Sequence, residues 1–405
     1  MMDISIPDDV RYIIDALETN GFEAYAVGGC VRDSLLGKEP DDWDICTSAL
    51  PEQIKSCFFG EHIIETGLKH GTVTLMLGHV AYELTTYRTD GKYTDNRHPE
   101  KVKFVSVLKR DLARRDFTMN SLAYNPKTGL VDYYGGESDL ANGMIKCVGN
   151  AEKRFQEDAL RIMRALRFAS SFGFSIEENT AKAMRENKKL LRNISAERIA
   201  AELNKLVLGE GAKNIISEHM EIIKEIIPEY SSAIGIEFAP KDISIRLAAF
   251  FGDICAESAK KILMGLKYDN ETAKAVTQLL LLRDFEITDG KDIKRQLRKI
   301  GEKRLRQLIE LKRSYAIAEA RNDKLGALDE LLESLNEIIR QKQCFSLKDL
   351  AVNGKDLIEI GVSEGSEIGI ALNGLLDMVI EEKAKNDREA LLAIAKKRLS
   401  EAKTQ

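Results

Sequence analysis

Histidine is scarce in this chain, cysteine is scattered and proline stops early. The five histidines (His62, His70, His79, His98 and His219) leave none after position 219. The C-terminal part therefore cannot build a His-Asp metal cluster of its own. Six cysteines (Cys30, Cys46, Cys57, Cys147, Cys255 and Cys344) form no C-x-x-C pair. That argues against a zinc ribbon or a disulfide framework and fits a reducing cytoplasm. Long apolar runs are missing as well. The purest one near the middle, residues 279–282, is far short of the ~20 residues that a membrane span needs. The chain opens Met-Met-Asp-Ile-Ser, with neither a basic nor an apolar stretch, so no secretory signal is expected. All seven prolines lie in the first 240 residues, and the proline-free remainder fits a helical region.

What is present is a chain of 405 residues, 44% apolar and 31% charged. That composition buries real cores and excludes disorder, and the length fits two to four domains. The net charge of −5 excludes a globally basic nucleic-acid binder but not local patches. Residues 291–315 hold ten Lys/Arg against three acids, and residues 97–115 hold seven against two. One such run is ordinarily a solvated face. Two of them in an acidic protein point to a track for a polyanion.

The first ~150 residues read as mixed α/β. Val10, Ile13, Ile14 and Leu17 form one helical stripe. Strand-like runs follow at 23–27, 43–47, 72–77, 81–87 and 102–105, separated by turn signals such as Gly67, Gly78 and Asp90-Gly91. From Glu152 onward the period is 3.6. Leu160, Met163, Ala165, Leu166 and Phe168 lie on a basic helix, and Ile199, Leu203, Leu206 and Val207 follow a cap expected at Ser195. No repeat of fixed period is present. The expected architecture is an α/β head of residues 1–150 and then helices: a neck (151–210), a body (211–290) and a tail (291–405).

Four motifs carry chemistry. Gly28-Gly29-Cys30-Val31-Arg32-Asp33 sits where a strand meets a helix, and glycines there let the backbone approach an anion. Alone, the signal is weak, and such a pattern is more often a plain strand-to-helix turn. In Asp42-Trp43-Asp44, residues i and i+2 of a strand share one face. Two carboxylates there repel unless a cation, most naturally Mg²⁺, lies between them. Glu83, on a later strand, is a candidate third carboxylate. Arg114-Arg115-Asp116-Phe117-Thr118-Met119-Asn120 offers guanidinium groups for phosphates. Asp116 and Asn120 suit sugar hydroxyls. Finally, Asp158 and Arg161 of Glu157-Asp158-Ala159-Leu160-Arg161 are i, i+3, on one face if helical. The plain alternative is a surface ion pair. As a base reader, the carboxylate accepts from an exocyclic amine and the guanidinium donates to a ring acceptor. That pattern admits cytosine and adenine and refuses uracil and guanine.

Taken in order, these motifs, with Thr66-Gly67-x-x-His70-Gly71-Thr72 and Glu197-Arg198-Ile199-x-x-Glu202-Leu203, resemble the bacterial class II CCA-adding tRNA nucleotidyltransferases of the polymerase-β-type superfamily. The resemblance rests on residues 22–208. It implies an α/β nucleotidyltransferase head (a mixed sheet with helices) followed by an elongated all-α neck, body and tail. It also implies addition of CCA to tRNA from CTP and ATP in the cytoplasm, with neither a membrane nor a protein partner. By the family pattern Asp42 and Asp44 hold Mg²⁺, one ion activating the tRNA 3′-hydroxyl and one stabilising the pyrophosphate, and Glu83 assists. Gly28, Gly29, Arg32 and Asp33 belong to the triphosphate site. Arg115, Asp116 and Asn120 fix sugar and phosphates. Asp158 and Arg161, with Arg164 nearby, stand in for a nucleic-acid template. In the tail, Arg298, Arg304 and Arg306 are candidate tRNA contacts.

One segment bears on subtype. Residues 88–99, from Arg88-Thr89-Asp90 to Arg97-His98-Pro99, resemble the loop of full CCA-adding or A-adding enzymes, whereas CC-adding enzymes lack its Asp-x-x-Arg element. A bacterial poly(A) polymerase shares the head motifs but tends to be basic, unlike this chain. A catalytically inactive RNA-binding module is the alternative of another class, and it has no use for repelling carboxylates.

Overall fold

The computed structural model describes residues 4–91 and 102–403. Most of the loop expected at 88–99 lies outside the described residues. The chain divides into two compact units, Met1–Tyr230 and Ser231–Gln405.

The first unit opens with α1 (Asp8–Thr19), β1 (Ala24–Val27), α2 (Gly29–Leu35), β2 (Asp44–Thr47) and α3 (Pro51–Cys57). The strands β3 (His62–Ile64), β4 (Thr72–Leu77), β5 (Val80–Thr86), β6 (Arg88–Asp90) and β7 (Val102–Phe104) follow. Then come α4 (Leu108–Ala113), β8 (Leu122–Asn125), β9 (Gly129–Asp132), α5 (Gly136–Ala141) and β10 (Met144–Ile145). Seven strands form one sheet in the order β3-β4-β5-β2-β1-β8-β9. Its pairings are antiparallel except β2 with β5, which is parallel and sets Asp44 opposite Glu83. That single parallel pairing makes the sheet mixed, as expected.

The α1 stripe packs as its period requires. Val10, Ile13, Ile14 and Leu17 are fully buried, each stabilising the fold by ~1.5–3 kcal/mol relative to exposure. On the sheet, Val27, Cys46 and Ala123 share a core cluster with Tyr87 and with Leu108 and Leu112 of α4. This packing seats α4 and the arginines after it.

Helices then take over: α6 (Ala151–Glu157), α7 (Leu160–Phe172), α8 (Glu178–Asn187), α9 (Ala196–Leu208), α10 (Ala212–Glu218) and α11 (Met220–Ile226), with one short strand, β11 (Ser175–Ile176), pairing with β10. This part is therefore mostly, not wholly, α. Ser195 does occupy the N-cap of α9, but its side chain makes no capping bond.

The second unit holds α12 (Ile243–Phe251), α13 (Ala256–Gly265), α14 (Asn270–Leu282), α15 (Gly290–Ala318), α16 (Asn322–Arg340), α17 (Gly354–Glu359), α18 (Ser366–Ile380) and α19 (Arg388–Lys403), and no strand among the described residues. Helix α12 is buried almost throughout, and Asp242 caps it by accepting from the Ser244 and Ile245 N–H groups. Without proline, glycine does the breaking: α15 is interrupted at Gly301, at φ 78° and ψ 165°. Leu357, Leu375, Leu376, Ile380 and Leu391 centre a core among α17, α18 and α19. Among the described residues no helix is long and apolar enough to cross a membrane.

Candidate active site

Strand β1 ends in a turn at Gly28, whose φ of 83° and ψ of −122° put it in a region that side chains disfavour. Gly29 then opens α2. A Cβ at Gly28 would lie 2.8 Å from Arg115 Nη1, so glycine is favoured by conformation and lets the Arg115 guanidinium lie against the turn. Four residues on, Arg32 is only 9% exposed. Its Nε and Nη2 donate to the two Asp33 carboxylate oxygens at 2.8 and 2.7 Å, and its Nη1 donates to Asn120 Oδ1 at 2.7 Å. Two motifs far apart in sequence thus meet at this turn.

Asp44 opens β2 beside Glu83 of β5. Asp42 differs from expectation, because it lies outside the strand, in the irregular segment before it, and is exposed. Strand alternation therefore does not set the two aspartates on one face, although the Asp42 charge still acts on Asp44. Burial, then the charge of Asp42, push the Asp44 carboxyl up to about 6; Arg115 opposes the rise and Glu83 adds to it. Asp44 thus feels both other carboxylates, and burial makes it costly to ionise.

Asp116 is the opposite case. Burial alone would raise it, but the Arg164 charge, the hydrogen bond from Asn120 and the Arg161 charge hold it down to about 2. Asn120 Nδ2 donates to Asp116 Oδ1 at 3.1 Å and Arg164 Nε donates to Asp116 Oδ2 at 2.8 Å. It is a fixed anion.

Asp158 and Arg161 are not on one helical face. Asp158 is extended (φ −139°, ψ 103°) between α6 and α7. Its Oδ1 accepts from the Leu160 N–H at 3.1 Å, and its Oδ2 accepts from Arg198 of α9 at 2.9 Å. Arg161 pairs with Glu157 at 3.0 Å and donates to the carbonyls of Arg154 and Arg114. The two do not pair with each other, so the surface ion-pair alternative does not describe them.

One cavity of about 410 Å³ gathers these groups. Asp44 and Glu83 line it, as do Arg115, Asp116, Asp158, Arg161 and Arg164. Gly28, Gly29, Arg32, Asp33, Asn120 and Asp42 are not in its lining. Guanidinium groups from Arg88, Arg114 and Arg198 also line it. With six arginines around two sheet carboxylates, the cavity suits a polyphosphate reaching a cation.

Two of its supports escaped the sequence reading as site residues. Arg198 belongs to a quoted motif, but only the fold shows that it faces Asp158. Asp111 is fully buried; its Oδ1 accepts from the Arg88 N–H at 3.1 Å and from Arg114 Nε at 3.0 Å, and its Oδ2 lies 3.6 Å from Arg115. Its spacing of three and four residues before two arginines was the available signal.

For a metal, the donor chemistry is hard oxygen. Among the described residues no three His, Cys, Asp or Glu side chains form a ready cage. Mg²⁺ does not require one: it is commonly held by one or two carboxylates together with substrate phosphates and water. The raised Asp44 carboxyl is the observation that fits, since a cation is what would stabilise its ionised form.

In the second unit Arg298 pairs with Asp377 and donates to Asn373 Oδ1, Arg306 pairs with Glu302 at 2.8 Å, and Arg304 donates to Gln307.

Residues 24–146 match the family described as Poly A polymerase head domain. Residues 173–234 match the probable RNA and SrmB-binding site of polymerase A, and residues 246–395 match tRNA nucleotidyltransferase domain 2 (putative). The chain is 36% identical over 391 residues to the CCA-adding enzyme of Lactobacillus delbrueckii subsp. bulgaricus, covering 94% of this chain and 95% of that one. It is 36% identical over 400 residues to the CCA-adding enzyme of Lactococcus lactis subsp. cremoris, covering 96% and 95%. Among solved structures, the Bacillus stearothermophilus CCA-adding enzyme in complex with CTP superposes with a TM-score of 0.79 at 31% identity, over 97% of this chain and 98% of that one.

Proposed function

We propose that this chain, which belongs to the CCA-adding enzyme family, builds C-C-A onto the 3′ end of tRNA from CTP and ATP without a nucleic-acid template, releasing pyrophosphate, in the cytoplasm. The observation that carries the mechanism is the single cavity in which Asp44 and Glu83 share walls with Asp158 and Arg161. Chemistry and base choice then take place on one bound nucleotide.

The roles follow from the donors and acceptors that remain. Arg161 spends three of its five N–H donors on protein oxygens, which leaves donors for cytosine N3 or adenine N1. Each Asp158 oxygen accepts one protein hydrogen bond and keeps a lone pair for the cytosine N4 or adenine N6 amine. Uracil and guanine would set acceptor against carboxylate and donor against guanidinium, leaving groups unpaired at ~1–3 kcal/mol each. Arg114, Arg115 and Arg164 take the triphosphate, and Asp116 with Asn120 takes the sugar. Asp42 and Asp44 would hold Mg²⁺, with Glu83 beside them. When bound, the cation acidifies the attacking 3′-hydroxyl and neutralises charge on the departing pyrophosphate. Arg298, Arg304 and Arg306 are proposed to meet tRNA phosphates.

The test is incubation with Mg²⁺, tRNA that ends before CCA, and labelled CTP and ATP, separately and together. Two cytidines from CTP alone, and a terminal adenosine only when both are present, is the expected result. Long adenosine tracts from ATP alone would make it a poly(A) polymerase. One adenosine, added only to tRNA already ending in CC, would make it an A-adding enzyme.

A further inference from the structure

Helix α7 carries Arg161, Arg164 and Phe168 at a spacing of three and four, on one face. Phe168 is 5% exposed and is not in the cavity lining. Three guanidinium groups nevertheless surround its ring. The Arg32, Arg164 and Arg167 Cζ atoms lie 5.2, 5.3 and 3.9 Å from the ring centroid. Like charges at such range repel unless something negative lies among them. Each arginine has its own acid, Asp33, Asp116 and Glu202 respectively. The ring faces supply the rest, because their quadrupole attracts cations.

The contacts close on themselves. From Phe168 the path runs to Arg32, then to Asn120, Asp116 and Arg164, and back over the same ring. One side of this circuit belongs to the Gly28 turn and the other to the helix of Arg161. We propose that Phe168 is a positioning residue for nucleotide binding, whose aromatic face locks the turn that approaches the triphosphate to the helix that reads the base. A residue of similar bulk without a π face fills the space but takes from Arg164 the ring it lies over, and from Arg32 one of two, since Arg32 also lies 5.0 Å from the Phe172 ring centroid. Arg164 is then held by its acids Asp116 and Glu202 without the ring beneath it and fixes Asp116 less firmly, and both Arg164 and Asp116 line the cavity.

This inference rests on the cavity being the CTP and ATP site. Incorporation of label by the unaltered protein tests that reading, and CTP binding by variants tests this one, so the two fail separately. In the full chain with Mg²⁺, Phe168→Leu is expected to weaken equilibrium CTP binding ~10-fold. Its KM for CTP and ATP rises in parallel, while kcat moves less than ~3-fold. Phe168→Tyr, which keeps the ring, restores CTP binding to within ~2-fold of the parent. If the leucine protein does not fold, Phe168→Met takes its place under the same criterion. A leucine or methionine variant that melts lower yet binds CTP as tightly as the parent would reduce Phe168 to packing and overturn the proposal. So would a tyrosine variant as weak as the leucine one.

Discussion

Asp44 concentrates the tension between stability and function at the level of one side chain. Its ordinary carboxyl value of 3.8 rises to about 6 in the folded protein through burial and the charge of Asp42. The unfolded chain therefore releases this proton first, and the folded state loses stability as pH climbs from about 4 through about 6. At neutral pH the metal-free protein carries a penalty of ~1–3 kcal/mol at this residue, given the size of the rise and the partial exposure. Asp44→Asn removes that charge at almost constant volume. The expected outcome is a metal-free protein that melts higher than the parent at pH 7 and does not at pH 4, with incorporation reduced by ~10³-fold or more. Mg²⁺ should raise the melting temperature of the parent and not of the variant, and its affinity for the parent should fall as pH drops below about 6. Thermal melts at both pH values, with and without Mg²⁺, check this. Equal Mg²⁺ stabilisation of both proteins would remove Asp44 from the metal site.

At the scale of elements, the unit of function is β1, the Gly28 turn and α2. Alanine at Gly28 must hold φ 83°, at a cost of ~1 kcal/mol or more, and its Cβ would press on Arg115 Nη1. That atom ends a flexible side chain, so the arginine yields before the fold does. Gly28→Ala should lower the melting temperature by a few degrees (roughly ΔΔG over ΔS) and raise KM for CTP and ATP alike. The preference for C and A over U and G should stay intact. Steady-state kinetics with all four nucleotides decide it, and altered selectivity would mean that the turn reaches the base. This element was legible because Gly-Gly after a short apolar run has few alternatives. The α1 stripe and Thr72–Leu77 were legible because their periods are clean. β8 and β9 were not, since Leu122–Asn125 is buried at every position and shows no alternation. The break at Asp158 was not either: neither glycine nor proline marks it. It exists because Asp158 binds the Leu160 N–H and an arginine forty residues later in the chain. Asp44, Glu83, Arg115, Asp116, Asp158, Arg161 and Arg164 of the cavity lining were therefore readable as candidates, while the geometry that joins them depended on tertiary partners.

Across the whole molecule, an acidic chain has to bind an acidic polymer. A net charge of −5 leaves binding to local excesses such as residues 291–315, and the fold spends part of that excess internally. Arg295 pairs with Asp292 and Glu381, Arg298 pairs with Asp377, and Arg313 pairs with Asp329. Arg306 differs, because its partner Glu302 is one turn away on the same helix and exposed. A pair of that kind is worth only ~0.3–0.5 kcal/mol, so a phosphate can displace the acid at little cost. Arg304 is held by a neutral amide, Gln307, and keeps its full charge. Replacing both with glutamine should weaken tRNA binding and make the slope of log affinity against log salt shallower by ~1–2. The KM for CTP should not move, since neither residue lines the cavity that holds Asp44 and Asp158. Binding isotherms at several salt concentrations provide the measurement. An unchanged slope in the double variant would transfer the phosphate contacts to other cations of the chain.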